Sequence, residues 1–250
     1  MCAKPWILIF LSFTILILLA ACSTLPLSAT QEPTEIIRVQ ITPSLIYWQP
    51  ALQACALNLS GTSISIKITS PDDLDQNGAD LIMRFGPKQD NETNVSILDD
   101  DRLVVVTHSG NPLKEISREN LQLIFSGEVN NWNQLIEAQN NGYEMPIHAI
   151  QFENNNDLSR VLSLSLALEK GINSQGTKVA SNQDMISEVS SNPGAIGYML
   201  ESLVDLKVKV LEISDASSQA ISMEQPVRAI THSEPRGSLL QLLLCLQTSN

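Results

Sequence analysis

The sequence predicts an α/β protein with two lobes, and two observations lead to that expectation. Segments with the apolar alternation of β-strands follow segments with helical spacing through most of the chain. This succession favours mixed α/β lobes with mostly parallel strand pairing. The 250 residues include an apolar N-terminal segment, and the chain that follows it is long enough for two lobes of ordinary size.

The first part of the chain contains four predicted strands and one predicted helix. Period-2 or continuous apolar runs place strands at 36–41, 63–69, 79–85 and 102–107. A helix follows the first strand, and Pro50 leaves its start open. It begins near Gln49, or it begins at Ser44 and is kinked by the proline.

The stretch from Asn111 to Leu135 carries the clearest helix signals in the sequence. Ser117 is a suitable N-cap, and Gly127 is the residue best able to adopt the left-handed conformation that ends a helix. The spacing of Leu121, Ile124 and Phe125 places them on one buried face. Trp132 follows in a polar turn and is expected to anchor it.

Strands and helices continue to alternate after this turn. Asp157 is expected to cap a helix with an apolar inward stripe, and 181–184 forms a capping-box pattern that opens another helix. Further strands are predicted at 146–152, 195–199, 208–213 and 227–231, and a last helix at 238–247.

The N-terminus has the features of an export signal. Lys4 precedes an apolar run over 6–21, and small residues stand directly before Cys22. This pattern resembles a bacterial lipobox, in which Cys22 is lipidated after cleavage of 1–21. A plain signal peptide and an uncleaved anchor are the alternatives. The polar segment 22–35 is interpreted as a tether to the membrane.

Charge and cysteine content exclude some functions and leave others open. The chain has 15 Lys and Arg against 27 Asp and Glu, a net charge of −12, which argues against nucleic-acid binding. Cys55 and Cys245 either form a disulfide or remain two separate buried thiols. Two cysteines and three scattered histidines make no metal site. Asp99, Asp100 and Asp101 could bind a cation, but a solvated turn is the preferred interpretation.

Three segments resemble phosphate-type extracytoplasmic solute-binding proteins, which feed ABC importers. They are LQLIFSGEVNNWNQL at 121–135, NPGAIGYM at 192–199 and QPVRAITHSEPRGSLLQLLLCLQ at 225–247. The resemblance implies a two-lobed, type 2 periplasmic-binding-protein-like fold with a central ligand cleft. Lobe 1 would comprise 36–105 and 200–250, and lobe 2 would comprise 106–199.

Ligands in open α/β sheets bind beyond the carboxyl ends of the strands, near helix N-termini. This rule selects the segments after the strands at 36–41, 79–85 and 146–152. Asp80 is added because it stands at an acidic position that the resemblance implies. The candidate ligand-binding residues are Thr42, Ser44, Asp80, Arg84, Gln151, Asn154, Asn155 and Asn156.

The segment QFENNND departs from the family pattern, which has an arginine and a Ser-Gly-Thr loop. Gln151 stands near the arginine position, so Arg84 is expected to supply the main positive charge for the ligand. Arg160 would reach the loop only if the helical register allows it. The substitution leaves the identity of the ligand open.

The resemblance implies a membrane-anchored lipoprotein on the outer face of the bacterial cell membrane. It would capture a small ligand, an oxyanion such as phosphate, and deliver it to an ABC permease as a monomer without a cofactor. A ligand sensor of the same fold and a scaffold that binds no solute are the alternatives. The motifs of serine hydrolases, Walker-type NTPases and zinc proteases do not occur, so an enzyme is not expected.

Overall fold

The computed structural model describes residues 35–135, 143–153, 155–214 and 222–248. The predicted signal segment, Cys22 and nearly all of the predicted tether lie outside these ranges. All the described residues belong to one compact unit. None of the described helices is long and apolar enough to cross a lipid bilayer.

Strands and α-helices are interspersed along the described chain, as the sequence predicts, but in two places several strands follow one another without an α-helix between them. The strands are β1 (Glu35–Ile41), β2 (Thr62–Ile68), β3 (Leu81–Phe85), β4 (Asn94–His108), β5 (Glu115–Ser117), β6 (His148–Phe152), β7 (Thr177–Val179), β8 (Ala195–Leu200), β9 (Val208–Ser214) and β10 (Glu224–Thr231). The α-helices are α1 (Gln49–Leu57), α2 (Arg118–Ser126), α3 (Asp157–Ser165), α4 (Asn182–Ser191) and α5 (Gly237–Thr248).

The long strand β4 belongs to both halves of the sheet. The strand order is β2-β1-β3-β10-β4-β8-β6-β7, with β9 also paired with β4 and β5 paired with β9. Residues 94–102 of β4 pair antiparallel with β10, whereas residues 103–108 pair antiparallel with β8 and β9. Hydrogen bonding is therefore continuous from β2 to β7 through one strand that changes partners. The lobe boundaries at 105/106 and 199/200 stay a prediction.

Strand pairing is parallel in the outer parts of the sheet and antiparallel around β4 and β10. The strand β1 pairs parallel with β2 and β3, and β6 pairs parallel with β7 and β8. The expectation of mostly parallel pairing therefore holds away from β4. The pairing of β4 is antiparallel, since its first half pairs with β10 and its second half with β8.

The solvated turn predicted at Asp99, Asp100 and Asp101 is wrong, because these residues lie inside β4. Asp99 pairs with Val227 and Asp100 with Pro226 of β10. Both aspartates are exposed, so the strand carries them at no desolvation cost. Asp101 is buried and accepts a 2.5 Å hydrogen bond from Ser202 Oγ.

The predicted signals of α2 and of the turn after it are confirmed. Ser117 Oγ accepts from the Asn120 N–H at 3.2 Å, and Gly127 adopts φ 84°, which favours glycine. Trp132 is fully buried, and its indole N–H donates to Gly194 O at 3.0 Å. This turn is thereby fixed to the segment that leads into β8.

The start of the first helix shows how Thr42 and Ser44 are placed. A 3-10 helix covers Pro43–Trp48, and α1 begins at Gln49 with Pro50 in its first turn. The first alternative from the sequence is therefore the observed one. Because the 3-10 segment turns directly at the end of β1, the two hydroxyls lie buried at the carboxyl edge of the sheet.

Cys55 of α1 and Cys245 of α5 form a disulfide with a Cα–Cα distance of 5.8 Å. The two residues are 190 positions apart in the sequence, so the last helix is covalently fixed to the first. Of the two alternatives that the sequence left open, the structure therefore has the disulfide.

Candidate functional site

Segments from both halves of the sequence meet around the carboxyl group of Asp157. Ser44 Oγ donates to Asp157 Oδ2 at 2.9 Å, and the Phe85 N–H donates to the same oxygen at 3.1 Å. The hydroxyl groups of Thr42 and Ser44 are 3.1 Å apart, which completes a set of neutral donors. The site therefore joins the ends of β1 and β3 to the N-terminus of α3.

The structure gives Asp157 a different place from the one that the sequence predicts. Asn156 is the N-cap of α3, and its Oδ1 accepts from the Leu158 N–H at 2.9 Å. The expectation that Asp157 caps this helix is wrong, because Asp157 is the first helical residue. Its side chain does not cap the helix and instead accepts hydrogen bonds from Ser44 and Phe85.

Burial governs the electrostatics of Asp157, whose residue surface is only 2 % exposed. Desolvation raises the pKa of the Asp157 carboxyl above its usual range, because burial penalises the charged form. Hydrogen bonds from Thr42, Phe85 and Ser44, together with the positive charge of Arg84, oppose this rise in pKa. The donor set thus partly offsets the cost of holding a carboxylate in the interior.

Arg84 lies near this site, but its guanidinium group is paired within its own loop. Its Nε donates to Glu92 Oε1 at 2.5 Å, and a terminal nitrogen also forms an ion pair with this carboxylate. The carbonyl oxygens of Pro87 and Phe85 accept from its terminal nitrogens at 2.6 and 3.3 Å. Both members of the ion pair are buried. A direct contact between Arg84 and a ligand stays a prediction.

Asp80 is not brought to the site with the other candidates. It stands directly before β3, whereas Phe85 ends that strand, so roughly 16 Å of extended chain separates them. Its carboxylate accepts from Arg38 Nε at 3.1 Å and from a terminal nitrogen of Arg38 at 2.9 Å. This hydrogen bonding with Arg38 lowers the pKa of Asp80.

The polar candidate residues between β6 and α3 differ in their burial and in their hydrogen bonds. Gln151 is buried and donates from Nε2 to Asn173 O at 2.7 Å. Asn155 is exposed, has φ 63°, and accepts on its carbonyl oxygen from Ser70 Oγ at 3.4 Å. Asn156 caps α3, and Asn154 lies outside the described residues. Their ligand contacts stay predictions.

Two open cavities, of about 390 and about 380 Å³, flank the N-terminus of α3. One is lined by Gln151, Asn155 and Asn156, and the other by Arg84 and Asp157. Arg160 lines both cavities. Because it is exposed and has no ion pair with any described residue, it is the cation best placed to meet an entering anion.

Sequence reasoning missed the role of Asp157 and gave Arg160 only a conditional place. The signal for Arg160 was its spacing, since residues three apart on a helix share a face with the first turn. The contacts of Asp157 had no local signal, because its partners are 113 and 72 residues away. Within the described ranges, histidine, cysteine and carboxylate side chains form no cluster able to hold a metal ion.

Residues 100–229 match the PBP superfamily domain. A curated relative, the phosphate-binding protein PstS of Bacillus subtilis (strain 168), is 29% identical over 129 residues, which cover 50% of this chain. The matched region spans 41% of the length of that relative.

Two solved structures share the fold. A crystal structure of an ABC-type phosphate transport receptor from Vibrio cholerae has a TM-score of 0.68 and 19% identity, and covers 85% of this chain and 93% of its own. A putative phosphate ABC transporter substrate-binding protein with bound phosphate from Clostridium perfringens has a TM-score of 0.66 and 17% identity, and covers 86% and 93%. The described chain therefore has the type 2 periplasmic-binding-protein-like fold.

Proposed function

Because this chain belongs to the PBP superfamily, we propose that it is an extracytoplasmic solute-binding protein that captures a small oxyanion for an ABC importer. Phosphate is the first candidate, since the relative in Bacillus subtilis and both solved structures are named for phosphate binding or transport. The ligand would lie in a cleft between the proposed lobes. The permease and the membrane are the proposed partners of a monomeric protein.

The observation that carries this proposal is the convergence of Ser44 Oγ and the Phe85 N–H on one carboxylate oxygen of Asp157. A carboxylate and a phosphate present the same kind of acceptor, and hydrogen bonds to a charged acceptor are about twice as strong as neutral ones. The first turn of α3 adds further backbone N–H groups nearby. These donors can bind an anion despite the acidic composition of the chain.

We expect at least one oxyanion to stabilise the protein against thermal unfolding. A ligand at 100 times its dissociation constant adds about 2.7 kcal/mol of stability, which raises Tm by roughly 5–11 °C for a chain of this size. The measurement is a thermal shift series with phosphate, sulfate, molybdate, tungstate and organic anions. The protein is extracted in detergent and exchanged into chloride buffer. No shift with any anion at millimolar concentration would favour the scaffold that binds no solute.

We further propose that Cys22 is lipidated and anchors the protein to the outer face of the cell membrane. Each buried CH₂ of an acyl chain contributes about 0.8 kcal/mol to membrane binding, so two chains anchor a protein stably. Cells given a clickable fatty acid should label the natural protein, and Cys22→Ala should lose the label. Cys2→Ala is the matched control, because it removes a cysteine outside the proposed lipidation motif and leaves the Cys55–Cys245 disulfide intact. Equal labelling of the natural protein and Cys22→Ala would exclude this anchor.

A further inference from the structure

We propose that Asp157 is a tethered ligand of the cleft, whose carboxyl group fills the donor set of Ser44 and Phe85 until an external oxyanion displaces it. The displacement step rests on the proposed function. The occupation of the donor set by an internal carboxyl group does not, and it can be tested without any solute.

The contacts of Asp157 are those of a bound carboxyl group and not those of a helix cap. Asn156 is the N-cap of α3 and accepts from the Leu158 N–H, so the carboxyl of Asp157 does not serve as the cap. Instead it accepts from Ser44 after β1 and from Phe85 at the end of β3. Two segments that are distant in sequence thus present their donors to one acceptor on α3.

The charges of Asp157 and of the groups that surround it sum to zero when Asp157 is ionised. Arg84 on β3 faces it but is already paired with Glu92, so these two charges cancel. Around the adjoining cavity, Lys88 and Asp90 lie on the loop after β3, and Arg160 lies on α3 itself. An entering oxyanion therefore meets Arg160 at the cavity and competes with Asp157 for the same neutral donors.

This competition predicts a pH dependence whose sign follows from burial. The pKa of Asp157 is raised in the folded protein above the value of about 3.9 expected in the unfolded chain. Its contribution to stability is therefore fully present below the unfolded pKa and is lost as the pH rises through the folded pKa. A protonated Asp157 also repels an entering anion less, so anion binding takes up a proton and strengthens as the pH falls.

Chemical rescue tests the tethered ligand directly. Asp157→Gly removes the carboxyl group and leaves the donors free, and formate can then take its place. We expect 100 mM formate to raise the Tm of this variant by several degrees above its value in chloride of equal ionic strength. The natural protein should show no such difference. Asp184→Gly is the matched control, because Asp184 lies in the first turn of α4 and is exposed.

The outcomes are decisive in each case. A formate effect confined to Asp157→Gly supports the proposal, whereas a folded Asp157→Gly that responds no more than Asp184→Gly overturns it. If Asp157→Gly folds only in formate, that requirement is itself the rescue.

If Asp157→Gly folds in neither salt, the variant Asp157→Asn decides. This variant keeps an acceptor without a charge and should flatten the fall in Tm as the pH rises above the unfolded pKa of about 3.9. An unchanged pH profile would overturn the proposal.

These results are separable from the failure of the proposed function. Rescue by formate together with no shift for any oxyanion would remove the transport role and keep the tethered ligand. Conversely, phosphate binding with equal affinity to the natural protein and to Asp157→Asn at pH 8 would show that no displacement occurs. Competition predicts at least ten-fold tighter binding by Asp157→Asn at that pH.

Discussion

Replacement of Arg84 by alanine is expected to lower the free energy of unfolding by about 3–5 kcal/mol, because Glu92 would remain buried without its counter-charge. The side chains of Arg84 and Glu92 are 4% and 2% exposed, so both charges are held largely out of water. The carbonyl oxygens of Phe85 and Pro87 would also lose their donors. Urea denaturation, followed by circular dichroism at pH 7, measures the change.

Two matched variants isolate the cause of this loss. Arg84→Met combined with Glu92→Leu removes both charges, and such replacements of a buried pair are often neutral or stabilising. Arg102→Ala breaks the ion pair with Glu201, whose side chains are 49% and 46% exposed. An exposed pair contributes only about 0.2–1 kcal/mol. If Arg84→Ala lost no more stability than Arg102→Ala, the buried pair would not have the importance assigned to it.

This stability effect changes how a ligand experiment on Arg84 has to be designed. The sequence alone suggests that Arg84 supplies the charge for the ligand, and the structure gives that charge to Glu92. A loss of binding in Arg84→Ala would therefore mix unfolding with a missing contact. Affinities measured well below the Tm of the variant, with Arg160→Ala alongside, would separate the two effects. Arg160 is exposed, so its removal should leave stability nearly unchanged.

Local signals in the sequence were sufficient wherever the structure depends on neighbours in the chain. The limits of α2 follow from Ser117 and Gly127, since a cap and a left-handed stop involve only the adjoining turn. The N-cap of α4 is equally local, because Ser181 Oγ accepts from the Asp184 N–H at 3.1 Å. Such features can be recognised without knowledge of the tertiary structure.

Features that depend on distant partners were the ones missed. The first half of β4 contains three aspartates, and its strand conformation is imposed by β10, more than a hundred residues later. Asp157 is of a residue type that often caps helices. Its contacts depend on β1 and β3, which bring Ser44 and Phe85 to it. Of the candidate ligand-binding residues, Thr42 and Ser44 lie beside Asp157, whereas Asp80 lies at the other end of β3.

The disulfide between Cys55 and Cys245 is expected to be the largest single covalent contribution to stability. It closes a loop of 190 residues, and the chain-entropy model gives about 5 kcal/mol for a loop of that length. Replacing both cysteines by serine should therefore lower the urea midpoint markedly while the far-ultraviolet circular dichroism stays unchanged. Both residues lie on packed faces of α1 and α5, so alanine is a second replacement that adds no hydroxyl group.

The reductant provides the control that separates the bond from the packing of the two side chains. Tris(2-carboxyethyl)phosphine should shift the urea midpoint of the natural protein towards that of the double-alanine variant. It should leave the variant itself unchanged, because no bond remains to be reduced. The single variants Cys55→Ala and Cys245→Ala should match the double variant closely, since either one removes the cross-link. If the natural protein had the same midpoint with and without reductant after complete reduction, loop closure between α1 and α5 would not stabilise this fold.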